Sequence, residues 1–295
     1  MKHMIRFLFI AIIFIGVSSE AASQLDNKPL ILHEMTWVDV QSYLEENDMV
    51  IIPLGSTEQH GRHLPTGTDY FSALEFSKLI SARTKVVVAP LLLVGYSEYH
   101  SGFPGTLSVS TETMEQVVFE CVESLIKHGF KRFLFFNGHG GNNIVQENLI
   151  YRIAQTSNAD AVSIGVGSPF WPSEGIDFLD VHAGKFETSL VLCLYPELVQ
   201  MDKAEKPEIQ FAEETEELKI LSGEYPELIR IWNGARLFVP EETGKGGALH
   251  EFSSNGVVSF SDPNDASEEY GRPYVDDLVD SAVALIEAWK LVKKK

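Results

Sequence analysis

Met49-Val50-Ile51-Ile52-Pro53-Leu54-Gly55-Ser56-Thr57-Glu58-Gln59-His60-Gly61 begins as an unbroken apolar run and turns abruptly into glycine, carboxylate and imidazole. An apolar run this short, with no polar alternation, reads as a strand buried on both faces. Similar runs occur at Lys85 to Val94, Arg132 to Phe136 and Ala161 to Val166. Longer amphipathic stretches lie between and after them, at Tyr70 to Ala82, Thr111 to His128, Asn143 to Ser157, Phe186 to Val199 and Ala266 to Leu291. Strands alternating with helices predict an α/β protein, a three-layer α/β/α arrangement around a mostly parallel sheet. Thr111-Glu112-Thr113-Met114-Glu115 offers capping oxygens and an early carboxylate at one helix start.

In open α/β sheets the ligand site lies outside the carboxyl ends of the strands, which is where the reactive residues of this chain cluster. After the first strand come Glu58 and His60, two apart, so that in extended chain they point to one side, and Asp69 returns at the start of the next helix. Two carboxylates and an imidazole are donors suited to Zn, Mn or Fe. Taken alone, the same residues also read as turn and capping groups. His63 reads as a residue behind the ligands or facing substrate.

After Phe133-Leu134-Phe135-Phe136 comes Asn137-Gly138-His139-Gly140-Gly141-Asn142-Asn143. Glycines around one histidine let backbone approach a metal or an oxyanion closely, and Asn142 or Asn143 is placed to cap the following helix. The stretch lacks the Gly-Lys-Ser/Thr ending of a nucleotide loop. The third segment, Val181-His182-Ala183-Gly184-Lys185-Phe186-Glu187-Thr188-Ser189, puts Glu187 in the first turn of an apolar helix. A carboxylate there needs a cation. His182, on the loop side, can work as acid and base. Glu98, Tyr99 and His100 read either as pocket walls or as a solvated loop.

These segments resemble the creatininase (creatinine amidohydrolase) family. The resemblance runs from about Met49 to about Leu198 and rests on Gly-Ser-x-Glu-Gln-His-Gly with Asp69 eleven residues beyond the glutamate, Ser101 to Thr106 as Ser-Gly-Phe-Pro-Gly-Thr, Asn-Gly-His-Gly-Gly-Asn, and His-Ala-Gly-x-x-Glu-Thr-Ser, with a weaker echo at Asp262-Pro263 and Gly271-Arg272. It implies an α/β fold, two divalent metal ions per chain and a homo-oligomer, often a hexamer. Carried over, Asp69 would bridge the metals, Glu58 and His139 would complete one site, and His60 would belong to the other. Family members that act on creatinine carry a metal-binding glutamate where this chain has Gly141, so Glu187 is expected to supply that carboxylate, as in the Gly-Gly variant of the family. The implied reaction is attack of a metal-bound hydroxide on a small amide or cyclic amide. His182 would relay a proton, and the backbone of Gly140 and Gly141 would steady the oxyanion.

Length and composition fit this reading. The 295 residues are 44% hydrophobic and 22% charged, enough for one large domain, taken as residues 22–295. Residues 1–21 have the plan of a signal peptide: Lys2 and Arg6, an apolar run from Phe7 to Val17 and small residues near Ala21. The run is shorter than the roughly 20 residues a spanning helix needs, so an exported protein, periplasmic or secreted, is expected. A net charge of -19 disfavours nucleic acid and anionic membranes as partners. The acidic chain also argues against a phosphoesterase, which would use the same ligand types. The two cysteines, Cys121 and Cys193, sit in apolar helical stretches and read as buried hydrophobes, with a disulfide between them left open. A silent metal-binding or assembly protein on the same scaffold is the rival reading. It draws its weight from Lys185, whose ammonium near two metals would weaken binding or hold an anionic substrate.

Overall fold

The strands β1 (Met49–Leu54), β2 (Val87–Val88), β3 (Arg132–Asn137) and β4 (Asp160–Gly165) form a parallel sheet in the order β2-β1-β3-β4. A second, antiparallel pair joins β5 (Asp180–His182) to β6 (Val258–Ser259). Around them run α1 (Trp37–Glu46), α2 (Thr68–Thr84), α3 (Thr111–His128), α4 (Asn143–Thr156), α5 (Lys185–Leu194) and α6 (Glu268–Lys290), with a short helical turn at Leu249–Phe252. This computed structural model describes residues 28–90, 94–166, 180–209 and 249–292 and positions 220 and 224. The expected export segment 1–21 lies outside the described residues.

Alternation along each strand sends successive side chains to opposite faces, and here both faces are covered. Met49, Ile51, Leu134 and Phe136 meet Ala73, Phe76 and Ile80 of α2, Phe186 and Leu190 of α5, and Val275, Leu278 and Ile286 of α6. Phe76 stacks on Phe136 with ring centres 5.2 Å apart. On the other face Val50, Ile52, Leu54, Phe133 and Phe135 pack on Met114, Val118 and Val122 of α3 and Val145, Leu149 and Ile153 of α4. Each such side chain contributes roughly 1.5–3 kcal/mol when fully buried. The result is the expected three-layer α/β/α arrangement. Among the described residues no helix is long and apolar enough to cross a membrane.

Several boundaries differ from those read in the sequence. The second strand is confined to Val87–Val88 rather than running from Lys85, because Lys85 adopts a left-handed conformation (φ 56°) as the cap of α2. Residues 91–93 of that expected strand lie outside the described residues. Helix α5 stops at Leu194, not Val199, since Pro196 cannot continue the ladder and opens a 3-10 turn. Helix α6 starts at Glu268, capped by Ser267, after the 3-10 turn Pro263–Asp265. The sequence reading missed α1. Its capping box joins Thr36 and Asp39, and it rests on the core through half-buried Val40, Tyr43 and Leu44 while Trp37 stays 77% exposed.

The cap of α3 is Ser110, whose hydroxyl accepts from the Thr113 N–H at 3.2 Å. Ser110→Ala should therefore cost about 1 kcal/mol, whereas Thr111→Ala should be close to neutral, as read from urea midpoints. Equal losses at the two positions would move the cap.

Candidate metal centre

The first site segment leaves β1 at Leu54 and returns to the sheet edge with α2, whose first turn carries Asp69. His139 follows β3 immediately and Glu187 lies in the first turn of α5. Parallel neighbours end side by side, Leu54 opposite Asn137, so the residues after β1 and β3 emerge at one edge. Glu58, His60, Asp69 and His139 are all buried, and Glu187 is partly so.

Asp69 divides its two oxygens between two groups. Oδ1 lies 3.1 Å from His60 Nε2, which is itself 3.5 Å from Glu187 Oε1. Oδ2 lies 2.9 Å from His139 Nδ1 and accepts from Ser56 Oγ at 2.6 Å. Two triads able to hold a metal thus share Asp69: Glu58, Asp69 and His139, and His60, Asp69 and Glu187. A third combination, Glu58, His60 and His182, overlaps them.

The proton inventory of these groups calls for cations. His60 Nδ1 is 3.0 Å from the Glu58 carbonyl and donates to it, so in the neutral ring Nε2 turns a lone pair towards two carboxylates. His139 Nε2 donates to the Tyr96 carbonyl at 2.8 Å, and its Nδ1 likewise meets Asp69 with a lone pair. Glu58 Oε2 is buried without a hydrogen bond, although His139 Nε2 is 3.2 Å away, because that N–H points to Tyr96. Lone pairs facing carboxylates, with an orphaned carboxylate oxygen beside them, are tolerable only around a positive charge. The donor set of three carboxylates and two imidazoles fits divalent ions of the Zn, Mn or Fe type.

Without metal, protons take that place. Burial pushes His60 down, but Glu187 and Asp69 outweigh it and hold the ring well above the ordinary histidine range. Burial opposes the charge on His139 too, and Glu58 and Asp69 raise it to about 9. Burial pushes the carboxyls of Asp69, Glu58 and Glu187 up, and the facing imidazoles pull all three below their usual values. His182 goes the other way: burial, then His60 and His100, hold it well below the histidine range.

These shifts fix a pH dependence for the chelator-stripped protein. A histidine whose folded pKa is raised stabilises the fold fully below its unfolded value, here 6.5, and that stabilisation is lost as pH rises through the folded value, about 9 for His139. The stripped protein should therefore melt lower at about pH 9.5 than at about pH 6. Zinc-loaded protein should not follow this fall, since metal displaces the same protons. A stripped protein whose melting temperature rises over this window would contradict the assignment.

Other expected site residues take different places. His100 Nε2 lies 3.1 Å from Glu58 Oε1, while Glu98 is half-buried on the same 3-10 turn. His63 is buried with Nε2 2.8 Å from Thr188 Oγ1. Gly140 is exposed; at Gly141 an added Cβ would lie 2.3 Å from the Tyr96 carbonyl and 2.4 Å from His139 Nε2, so no side chain fits there. Asn142 does not cap α4 with its side chain. Its carboxamide instead donates to the Gly55 carbonyl and accepts from the Tyr96 N–H, tying the two strand-end loops together. Lys185 extends over the Tyr270 ring, with Nζ 4.1 Å from its centre. Cys121 and Cys193 are both free thiols. The sequence reading gave no role to Ser56 and Gln59, although both stand inside the Gly-Ser-x-Glu-Gln-His-Gly motif, nor to the Tyr96 carbonyl, whose only signal was proximity to the motifs.

The profile of the family described as creatinine amidohydrolase (creatininase) matches residues 33–286. The chain is 30% identical over 198 residues to the creatinine amidohydrolase of Pseudomonas putida, an alignment covering 60% of this chain and 76% of that protein. It is 37% identical over 163 residues to the mycofactocin precursor peptide peptidase of Mycolicibacterium smegmatis, covering 52% of this chain and 61% of the peptidase. The solved structure "Creatininase Mn" superposes with a TM-score of 0.68 at 24% identity, covering 88% of this chain and 98% of that one, a likeness of fold.

Proposed function

We propose, from the premise that this chain belongs to the creatininase (creatinine amidohydrolase) family, that it is a metal-dependent hydrolase cleaving a C–N bond of a small amide or cyclic amide. The observation that carries this is the division of Asp69 between two ligand triads, next to a buried Glu58 oxygen that no protein donor satisfies. Asp69, Glu58 and His139 would hold one divalent ion, and Asp69, His60 and Glu187 the other. Bound there, two such ions polarise a scissile carbonyl and acidify an attacking water.

The chain's own groups complete the chemistry. His182 is neutral and donates from Nε2 to the Gln59 carbonyl at 2.7 Å, which leaves Nδ1 unprotonated on the side of Glu58, 3.7 Å away. Nδ1 is thus placed to take the proton released by attacking water and to return it to the departing nitrogen. Backbone N–H groups at Gly140 and Gly141 are the donors offered to the oxyanion. The Asn-Gly-His-Gly-Gly-Asn stretch marks a variant in which position 141 stays bare and Glu187 brings the second-site carboxylate. Lys185, which lends weight to the silent-scaffold reading, is engaged with Tyr270. The charged, apolar and small-residue pattern of 1–21 supports export to the periplasm or outside, and the family suggests a homo-oligomer.

Elemental analysis of chain purified without chelator, paired with a panel of small amides, cyclic amides and short peptides, tests the reading. About two ions per chain and an amide hydrolysis that chelator abolishes are expected. A chain that takes up no stoichiometric metal on reconstitution would sink it.

A further inference from the structure

We infer that Gln59 is a positioning residue that fixes the tautomers of His100 and His182 and so reserves one oxygen of Glu58 for metal; the inference rests on the metal-centre reading above. Gln59 is buried, and its carboxamide cannot flip freely. Oε1 accepts the Gly61 N–H at 2.9 Å. The amide nitrogen is therefore the atom that faces His100 Nδ1 and the Gly256 carbonyl, each at 3.0 Å.

An amide nitrogen can only donate. His100 Nδ1 must then be an acceptor, and the neutral ring carries its hydrogen on Nε2, 3.1 Å from Glu58 Oε1. That bond occupies Oε1 and leaves Oε2 without a hydrogen bond, His139 Nε2 lying 3.2 Å away with its N–H turned to Tyr96. The amide has two hydrogens for three neighbours, His182 Nε2 being the third at 3.0 Å. The shorter contact, 2.7 Å to the Gln59 backbone carbonyl, is then a donation from His182 Nε2–H. One residue thereby ties together the segment after β1, the 3-10 turn at His100, the loop at Gly256 and β5. It sets opposite faces of two imidazoles towards Glu58: a hydrogen from His100 and a lone pair from His182. The rings of His60, His182 and His100 lie in sequence with centres 4.2 and 4.4 Å apart and planes tilted by 36° and 33°; a flipped tautomer at His100 or His182 would face Glu58 with the wrong atom.

The test is long-range proton–nitrogen correlation on the full chain, labelled with nitrogen-15 in histidine and loaded with zinc. His100 should carry hydrogen on Nε2 and none on Nδ1. Gln59→Glu keeps an acceptor for the Gly61 N–H but replaces the donor facing His100 with an acceptor. In that variant His100 should gain hydrogen on Nδ1, and zinc affinity measured against a competing chelator should fall by about 10–100-fold, as for loss of a partner behind a metal ligand. Hydrogen on His100 Nδ1 in the parent overturns the inference, whether or not the variant folds. So does a folded Gln59→Glu chain that binds zinc within about twofold of the parent, given that expected loss. A parent that binds no zinc at all sinks the metal-centre reading instead, and the His100 tautomer is then decided in the zinc-free chain.

Discussion

Asp69→Asn should leave the chain without stoichiometric metal and cut hydrolysis of its amide substrate by at least about a thousandfold, since loss of a single electrostatic stabiliser already costs roughly 10²–10³. No other side chain belongs to both Asp69-sharing triads, with Oδ1 towards His60 and Oδ2 towards His139. Its place is fixed from three sides. It sits in the first turn of α2, where the helix dipole favours an anion. Ser56 donates to Oδ2. Gly138 lets the turn approach the end of β3 so closely that an added Cβ would stand 2.5 Å from the Asp69 carbonyl. Asparagine keeps the shape and can still accept from Ser56, so the variant should fold; what it loses is the charge that both ions share. Elemental analysis of parent and variant, beside thermal melts of both after chelator treatment, checks this. A folded variant that retains two ions would remove Asp69 from the bridge.

The sheet was legible because burial on both faces leaves a strand uniformly apolar, and Met49–Leu54 and Arg132–Asn137 are buried along nearly their whole length. The ligand segments were legible for a related reason: glycine, histidine and acid following such a strand have few structural reasons to be there. Helix α1 was hard to read because its apolar stripe is short, only Val40, Tyr43 and Leu44, half-buried against the sheet, while Trp37 and Val38 point outward; its Thr36 and Asp39 capping box was the other local sign. Gln59 was hidden differently. Its meaning depends on His100, His182 and Gly256, which the fold brings to it across 41, 123 and 197 residues. His100 was read as a possible pocket wall because nothing in spacing links it to Glu58. The structure assigns its Nε2 to that carboxylate. The empty position at Gly141 was visible as a departure from the family, but only the packing shows why it must stay empty.

Glu187→Gln should lower metal content from about two ions to about one and reduce hydrolysis by roughly 10²–10³-fold, because the second ion is one of the two charge stabilisers. Glu187 Oε2 accepts the Ala183 N–H at 2.6 Å, and Ala183 holds a left-handed conformation (φ 55°) that L residues avoid at a cost of roughly 1–2 kcal/mol. That strained turn aims the carboxylate, leaving Oε1 for the space next to His60. A glutamine can keep the bond to Ala183 through its carbonyl oxygen. Its amide then faces His60 Nε2 and donates to the lone pair that would otherwise bind metal. The variant should accordingly fold without penalty and close the second site with an internal hydrogen bond, while Glu58, Asp69 and His139 still hold the first ion. Elemental analysis with kcat on whichever amide the parent hydrolyses separates the cases. Two ions in a folded Glu187→Gln chain would show that the second site draws its carboxylate from elsewhere. Loss of both would mean that the sites fill together, with Asp69 oriented only when both are complete.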